Sequence, residues 1–316
     1  MERVSIIIPL YNEEDSIDFL VTQLNGYFAD KKKFKTEIIF VNDGSSDKTS
    51  DLIKKANHEF YSAKLCNLSK NCGSHAALRA GILHSSGDYI GFMYADLQDP
   101  LELINQLFDK MMEGYDIAWA KRKDVELSFF EKRFSKMYAS LMKKYVSQIF
   151  PEQGFDVVMF SKKIAGELNK NIESNSSIFL HVLTLGYKQA SIEYNKRPRK
   201  TGVSKWTLSK KMKLLIDSFV SFSYAPIRLV SVVGLIFFIL GILWTGYIVF
   251  RKIVFNDLLS GWPALTSILM IGFGITNISL GIIAEYLWRT LDASRKRPVF
   301  IIDEIIEINK EEKVKL

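Results

Sequence analysis

Asp96 and Gln98, in the stretch Gly91-Phe-Met-Tyr-Ala-Asp-Leu-Gln-Asp-Pro100, can both turn a side-chain oxygen toward one divalent cation. A loop of this kind at a strand tip often offers the metal two carboxylates, but here Tyr94 stands two residues before Asp96. Mg²⁺ is commonly held by one or two carboxylates together with substrate phosphates and water, so a single aspartate is sufficient. Tyr94 therefore weakens the expected affinity for Mg²⁺ or Mn²⁺ more than it argues against use of the metal. The next acid reads differently. Asp99-Pro100-Leu-Glu102 has the spacing of a helix start, with an acidic N-cap, proline at N1 and glutamate at N3.

The elements that must hold this loop alternate along the first two hundred residues. Val4–Ile8, Glu37–Val41, Ala63–Leu68 and Tyr89–Met93 are short runs rich in β-formers. Between them lie helical spacings such as Ile17, Leu20, Val21, Leu24 and Phe28. That alternation predicts an α/β fold with a parallel, doubly wound sheet, whose ligands sit at the carboxyl ends of the strands. The informative residues are then those that follow each strand: Pro9-Leu-Tyr-Asn-Glu-Glu14, Asn42-Asp-Gly-Ser-Ser-Asp47, Ser69-Lys-Asn-Cys-Gly-Ser-His75 and Tyr94-Ala-Asp-Leu-Gln-Asp99. Each alone is an ordinary turn; four at one sheet edge make a site. Asp43 can accept from a ring N–H or a ribose hydroxyl, and backbone N–H groups near Gly44 and Gly73 can approach phosphates with no Cβ in the way. His75 can touch a phosphate or serve as an ordinary first-turn residue. No G-x-x-x-x-G-K-[ST] loop and no G-x-G-x-x-G fingerprint occurs, which disfavours P-loop NTPases and dinucleotide dehydrogenases.

Charge and hydropathy select the partner. The 316-residue chain has a net charge of +7. Lys196 to Lys213 holds eight Lys or Arg and no acid. Leu229–Phe250 is a charge-free stretch of 22 residues, roughly 33 Å as a helix and enough to cross the hydrocarbon core. Leu258–Ala284 is a second charge-free stretch, longer than needed, in which Gly272, Gly274 and Gly281 permit close helix approach. Lys and Arg cluster before the first stretch and after the second (Arg289, Arg295, Lys296, Arg297), so both termini are expected in the cytoplasm with the short loop outside. The basic run then faces membrane lipids, and nucleic acid is excluded as a partner. Cys66 and Cys72 fit no disulfide or metal framework, and no signal peptide is expected ahead of so short a first strand.

Ser5-Ile-Ile-Ile-Pro-Leu-Tyr-Asn-Glu13, Phe40-Val-Asn-Asp-Gly-Ser-Ser-Asp-Lys-Thr49, Ala95-Asp-Leu-Gln-Asp-Pro100 and Arg199-Lys-Thr-Gly-Val-Ser-Lys-Trp206, followed by the two apolar stretches, resemble glycosyltransferase family 2. The whole layout is similar to the polyprenyl-phosphate glycosyltransferases of that family. The resemblance implies a GT-A-type, Rossmann-like nucleotide-sugar domain, interfacial amphipathic helices and two C-terminal transmembrane helices. It implies inverting transfer of one sugar from a UDP-sugar to polyprenyl (undecaprenyl) phosphate at the cytoplasmic face of the inner (plasma) membrane. By that resemblance Pro9, Tyr11, Glu13 and Asp43 hold the uridine, and Asp96 with Gln98 hold the metal and diphosphate. Asn12, Gly44, Asn71, His75 and Ala95 complete the nucleotide-sugar set. Asp156, in Gln153-Gly-Phe-Asp-Val-Val158, matches the place of the family's catalytic aspartate, with Asp96 beside it in the catalytic set. Arg122, Arg133, Arg199 and Lys205 are the expected contacts to the lipid phosphate.

The expected organisation is a catalytic domain at 1–204, juxtamembrane amphipathic helices at 205–226, membrane helices at 227–250 and 262–287, and a cytoplasmic strand and tail at 288–316. The strand is expected at Val299–Ile302. Relatives use that tail in subunit contacts, so a homo-oligomer, a tetramer by resemblance, is a further expectation. Two other readings stand beside this one. A processive polysaccharide synthase would need more spans and a Gln-x-x-Arg-Trp motif, and neither is present. A non-catalytic nucleotide-sugar or lipid-phosphate binder is made conceivable by Tyr94.

Overall fold

The computed structural model describes residues 1–29, 33–123, 129–151, 155–170, 172, 176–197, 217, 220, 223, 225–255, 261–295 and 297–308. Arg199, Lys205 and nearly all of the expected amphipathic segment lie outside the described residues. The chain divides into two compact units, Met1–Leu215 with Pro298–Leu316, and Ile216–Arg297.

The first unit is built on one eight-stranded sheet, whose strands lie side by side in the order 189–194, 117–122, 157–161, 89–92, 3–10, 35–42, 62–68 and 302–308. The Ile- and Val-rich runs form β1 (Arg3–Leu10), β2 (Lys35–Asn42), β3 (Ser62–Leu68) and β4 (Tyr89–Phe92), which are parallel to one another. Their side chains are buried on both faces, because helices cover both sides of a parallel sheet. The intervening helices are α1 (Ile17–Ala29), α2 (Thr49–Lys55) and α3 (Ser74–Leu83). α1 turns Ile17, Leu20, Val21, Leu24 and Phe28 into the core, as their spacing requires.

Beyond β4 the sheet departs from the all-parallel expectation. α4 (Glu102–Met112), β5 (Ile117–Arg122), α5 (Phe129–Tyr145), β6 (Val157–Ser161), α6 (Lys162–Lys170), α7 (Ile178–Thr184) and β7 (Gln189–Tyr194) follow. β6 inserts antiparallel between β4 and β5, while β7 pairs parallel with β5. The sheet is therefore mixed. No sequence period distinguishes the two directions when a strand is buried on both faces.

The second unit consists of α8 (Ala225–Phe255) and α9 (Trp262–Arg295), both longer than the expected spans. Each carries a stretch apolar enough to cross a membrane, Ala225–Phe255 and Ile271–Arg295, and those stretches are unburied within the protein. Large apolar side chains such as Leu229, Ile253, Phe273 and Trp288 are more than half exposed, as helices in a lipid solvent would be.

After α9 the chain returns to the sheet as β8 (Ile302–Ile308), antiparallel to β3. The expected strand at Val299–Ile302 thus begins only where that segment ends. Ile306 and Ile308 reach the core while Glu307, between them, lies near Lys64, as the alternation of a strand requires.

Gly81 of α3 packs where a Cβ would overlap the Ile7 side chain of β1. Gly81→Ala should lower unfolding stability by roughly 1–3 kcal/mol, as overpacking does. Combined with Ile7→Ala the two losses should be less than additive in denaturation, and strict additivity would show that the helix does not press on β1 there.

Candidate active site

The four polar loops converge at the carboxyl ends of β1 to β4, and each is fastened to the next. Asn12 takes a positive φ of 50°, tolerable for asparagine. Its N–H donates to Ser45 Oγ at 3.0 Å and its Oδ1 accepts from the Ser46 N–H at 2.9 Å. The Glu13 N–H donates to Thr49 Oγ1 at 2.9 Å, and its carboxylate accepts from Ser16 Oγ at 3.1 Å. These bonds lock the β1 loop onto the β2 loop. Pro9 is half-buried beside them and Tyr11 is exposed.

Asp43 locks the β2 loop onto the β3 loop. Its carboxylate is 3% exposed and accepts the Cys72 N–H at 2.7 Å and the Gly73 N–H at 2.9 Å. Gly73 caps α3, so the charge rests at the positive end of a helix. Burial nonetheless lifts the Asp43 pKa, against the pull of the two N–H groups. Gly44 has φ +64° and its Cα presses on the backbone of Lys70 and Asn71; a Cβ there would overlap both. The close approach of the two loops therefore requires glycine. Asn71 is exposed at the rim.

His75 is half-buried in the first turn of α3. Its Nδ1 accepts the Ile178 N–H at 3.4 Å and its ring meets Phe179 edge-on, so it fastens the start of α7. Burial, aided by the Arg79 charge, pushes its pKa down to about 4. It is a neutral imidazole at pH 7, able to donate a hydrogen bond from Nε2 but carrying no charge for a phosphate.

The β4 loop makes a tight turn in which Tyr94 C=O accepts the Leu97 N–H at 3.2 Å and Leu97 takes φ 47°. Ala95 is buried and Asp96 half-buried, its Oδ1 accepting the Gln98 N–H at 3.3 Å. Gln98 is tied to the segment after β7: the Arg197 N–H donates to its backbone C=O at 2.8 Å, and its side-chain amide reaches Arg197 C=O at 3.4 Å. Among the described residues no three His, Cys, Asp or Glu side chains form a metal cluster. One carboxylate and one amide oxygen remain, a donor set that suits a hard cation whose other ligands come from a diphosphate and water. Tyr94 does not replace the missing carboxylate. Burial and the negative charges of Asp156 and Asp99 raise its hydroxyl pKa well above the ordinary value, so it stays neutral.

Asp99 is not a helix cap. α4 begins at Glu102, with Leu101 in the capping position and the Leu103 N–H taken by Pro100 C=O at 3.1 Å. Asp99 instead turns inward, 1% exposed, and accepts the Tyr194 hydroxyl at 2.5 Å, with Lys196 Nζ 3.8 Å away. The tertiary partner outcompetes the local cap because burial makes an unpaired carboxylate costly.

Asp156 and Arg122 stand together. The guanidinium donates to Asp156 Oδ2 at 2.5 Å, with the side chains 20% and 33% exposed respectively. Burial alone would depress the Arg122 pKa, but Asp156, Tyr194 and Asp99 together more than offset it, so the cation is secured. Lys121, Arg122, Lys123 and Lys143 also line a cavity of about 350 Å³ floored by Phe150 and Pro151. Arg133 is exposed on α5 and contributes to neither group.

This edge, with its interlocked glycine-bearing loops and its Arg–Asp pair, now has a family. Residues 5–173 match the glycosyl transferase family 2 model. The chain belongs to glycosyl transferase family 2. It is 33% identical to the putative glycosyltransferase CsbB of Bacillus subtilis, over 98% of this chain and 93% of that one. It is 29% identical to the prophage bactoprenol glucosyl transferase homolog of Escherichia coli, covering 96% and 99% of the two chains. It is 28% identical to the undecaprenyl-phosphate 4-deoxy-4-formamido-L-arabinose transferase of Proteus mirabilis, covering 99% and 97%.

Sequence reasoning missed Tyr194, the inward role of Asp99, and the lysines at 121, 123 and 143. The β-rich run Gln189–Tyr194 is visible in the sequence, but its partner strand is not. His75 yields a pH test. In the unfolded chain an ordinary histidine protonates near 6.5, whereas folded His75 resists until about 4, so stability falls as the pH drops through that window. The thermal midpoint of His75→Gln should decline less than that of the wild type between pH 6.5 and 4. Equal declines would place that proton uptake elsewhere.

Proposed function

We propose that this glycosyltransferase moves one sugar from a UDP-sugar to undecaprenyl phosphate or a similar polyprenyl phosphate at the cytoplasmic face of the plasma membrane, with inversion. The carrying observation is that one family 2 chain joins a nucleotide-sized polar edge and an Arg122–Asp156 pair to two membrane-length helices. The full-length match to proteins named for bactoprenol and undecaprenyl phosphate supports that acceptor.

On this reading Pro9, Tyr11 and Glu13 border the nucleoside, and Asp43 with Gly44 holds the β3 loop against it. Asp96 and Gln98 would hold Mg²⁺ or Mn²⁺, which supplies positive charge to the leaving diphosphate. A phosphate monoester has its second pKa near 6, so the acceptor is largely ionised at neutral pH. No strong base is then required. An acceptor oxygen attacks the anomeric carbon as the bond to UDP breaks, and UDP departs with the electron pair. The protein's task is to neutralise and orient. Arg122 gives a planar donor fork to the acceptor phosphate, and Asp156 holds that fork. Lys121, Lys123 and Lys143 lie close enough to share the phosphate charge.

Connectivity supports this topology. β3 precedes the two long helices and β8 follows them, yet both strands pair in one sheet. A folded polar unit cannot straddle a bilayer, which favours an even number of crossings by the helices. The flanking Arg and Lys favour the cytoplasmic side for that unit.

Two experiments test these readings. Full-length protein should transfer label from one of UDP-glucose, UDP-N-acetylglucosamine or UDP-galactose to undecaprenyl phosphate. Asp96→Asn should cut that rate by roughly a hundred-fold or more, since one lost electrostatic contact in a preorganised site costs about that much. Near-normal turnover of the variant at saturating Mg²⁺ or Mn²⁺ would remove Asp96 from the metal site. For topology, Gly261→Cys should react with an impermeant thiol reagent on intact cells, and Ser294→Cys only after permeabilisation. The background needs only Cys72→Ser, because Cys66 is buried and its thiol is pushed up to about 11. Labelling of Ser294→Cys on intact cells would invert the orientation.

A further inference from the structure

Arg122 ends β5 and Tyr194 ends β7, and the two are direct partners in a parallel register. Their side chains therefore emerge side by side on one face of the sheet. The register is pinned there by the Lys123 N–H donating to Tyr194 C=O at 2.8 Å. The Tyr194 hydroxyl donates to Asp99 Oδ1 at 2.5 Å, and it also lies near enough to the Arg122 guanidinium to act on its charge. Arg122 in turn donates to Asp156. One hydroxyl thus stands between a cation and the carboxylate that competes for it.

Asp99 is a strong competitor. It is 1% exposed, and among the described residues its Oδ2 has no hydrogen-bond partner. Lys196 is its nearest cation, at 3.8 Å, beyond hydrogen-bond length. A buried carboxylate left this short of donors draws any guanidinium within reach. Arg122 lies opposite Tyr194 on the neighbouring strand, its charge acts on Asp99, and its Nε is likewise buried and without a partner among the described residues.

We propose that Tyr194 and Asp99 are positioning residues for transfer: the Tyr194 hydroxyl satisfies Asp99 and so leaves the Arg122 fork on Asp156. The inference rests on the reading that Arg122 and Asp156 serve the acceptor phosphate. Tyr194 touches neither substrate; it acts through the guanidinium. Without the hydroxyl, Asp99 lacks its donor and the space between it and Arg122 opens. The guanidinium then swings toward Asp99 and away from Asp156. Removing the Asp99 charge as well abolishes the competition and returns the fork to Asp156.

The test compares Asp156→Asn, Tyr194→Phe and Tyr194→Phe/Asp99→Asn in the full-length protein, with the same UDP-sugars and undecaprenyl phosphate. Tyr194→Phe keeps the ring and should lower kcat roughly ten- to a hundred-fold, the value of a charge-assisted bond. KM for the UDP-sugar should stay within about two-fold, because the donor loops are untouched. The double variant should regain turnover to within about three-fold of wild type. A purely structural role would make the double variant worse than the single one. Wild-type turnover in Tyr194→Phe, or no recovery in the double variant, overturns the proposal while leaving the site reading intact if Asp156→Asn is inactive. Full activity of Asp156→Asn overturns the site reading, and this inference with it.

Discussion

β1 pairs with β2 over its whole length, from Arg3 against Lys35 to Leu10 against Asn42, and with β4 from Val4 to Ile7. Because both pairings are parallel, three chain segments leave the sheet at the same edge and in the same direction. β3 adds a fourth. Every polar group at this edge is placed by that register, since a slip of one residue would exchange the side chains packed on the two buried faces and shift each loop by about 3.3 Å against its neighbour. The apolar faces of β1 and β2 make such a slip costly. The site is thus precise because the core beneath it is greasy and tightly paired.

The charged groups at this edge are managed by burial with compensation. Asp43 is buried yet accepts two backbone N–H groups, and serves as a rivet between loops. Glu37, at the opposite end of the same sheet, shows the same logic. Burial alone would raise its pKa, but hydroxyls of Ser5 and Ser86, the Ser86 N–H and Lys64 together hold it below the ordinary value. The groups around Arg122 are less evenly balanced. Asp156 has a full cationic partner, whereas Asp99 has a hydroxyl and a distant lysine. An uneven distribution of donors is where small side-chain changes redirect a guanidinium, and it lies beside the groups assigned to the acceptor.

The two long helices are inserted between strands that meet in one sheet. β8 covers the outer edge of β3, an edge otherwise open to pairing with another chain. The segment leading into it also meets the β3 loop: the Ser69 N–H, at the start of that loop, donates to Ile301 C=O at 2.9 Å. The chain that follows α9 is therefore bonded to the loop that Asp43 secures. Glu304 accepts from both Lys54 and Asn67, which ties the same strand to α2.

Periodicity alone determined a good deal of this protein. The strands through β4, the inward face of α1, the two membrane-length helices and the four polar loops are all legible in the sequence, because each depends on neighbours a few residues away. The glycine at 44 was legible as a turn. That it is irreplaceable came from the backbone of Lys70 and Asn71 pressing against it. Longer separations hid the rest. Asp99 looked like a cap because Pro100 and Glu102 are adjacent, and its true donor, Tyr194, is 95 residues away. Arg122 and Asp156 were each suspected, but their pairing needed β6 to run antiparallel beside β5, a direction that an all-buried strand does not encode. A strand near β8 is expected from the sequence, and its antiparallel pairing with β3 is seen only in the tertiary structure. Local pattern specifies what a segment is; the sheet's order and register specify what it touches, because only there do distant residues share one hydrogen-bonded surface.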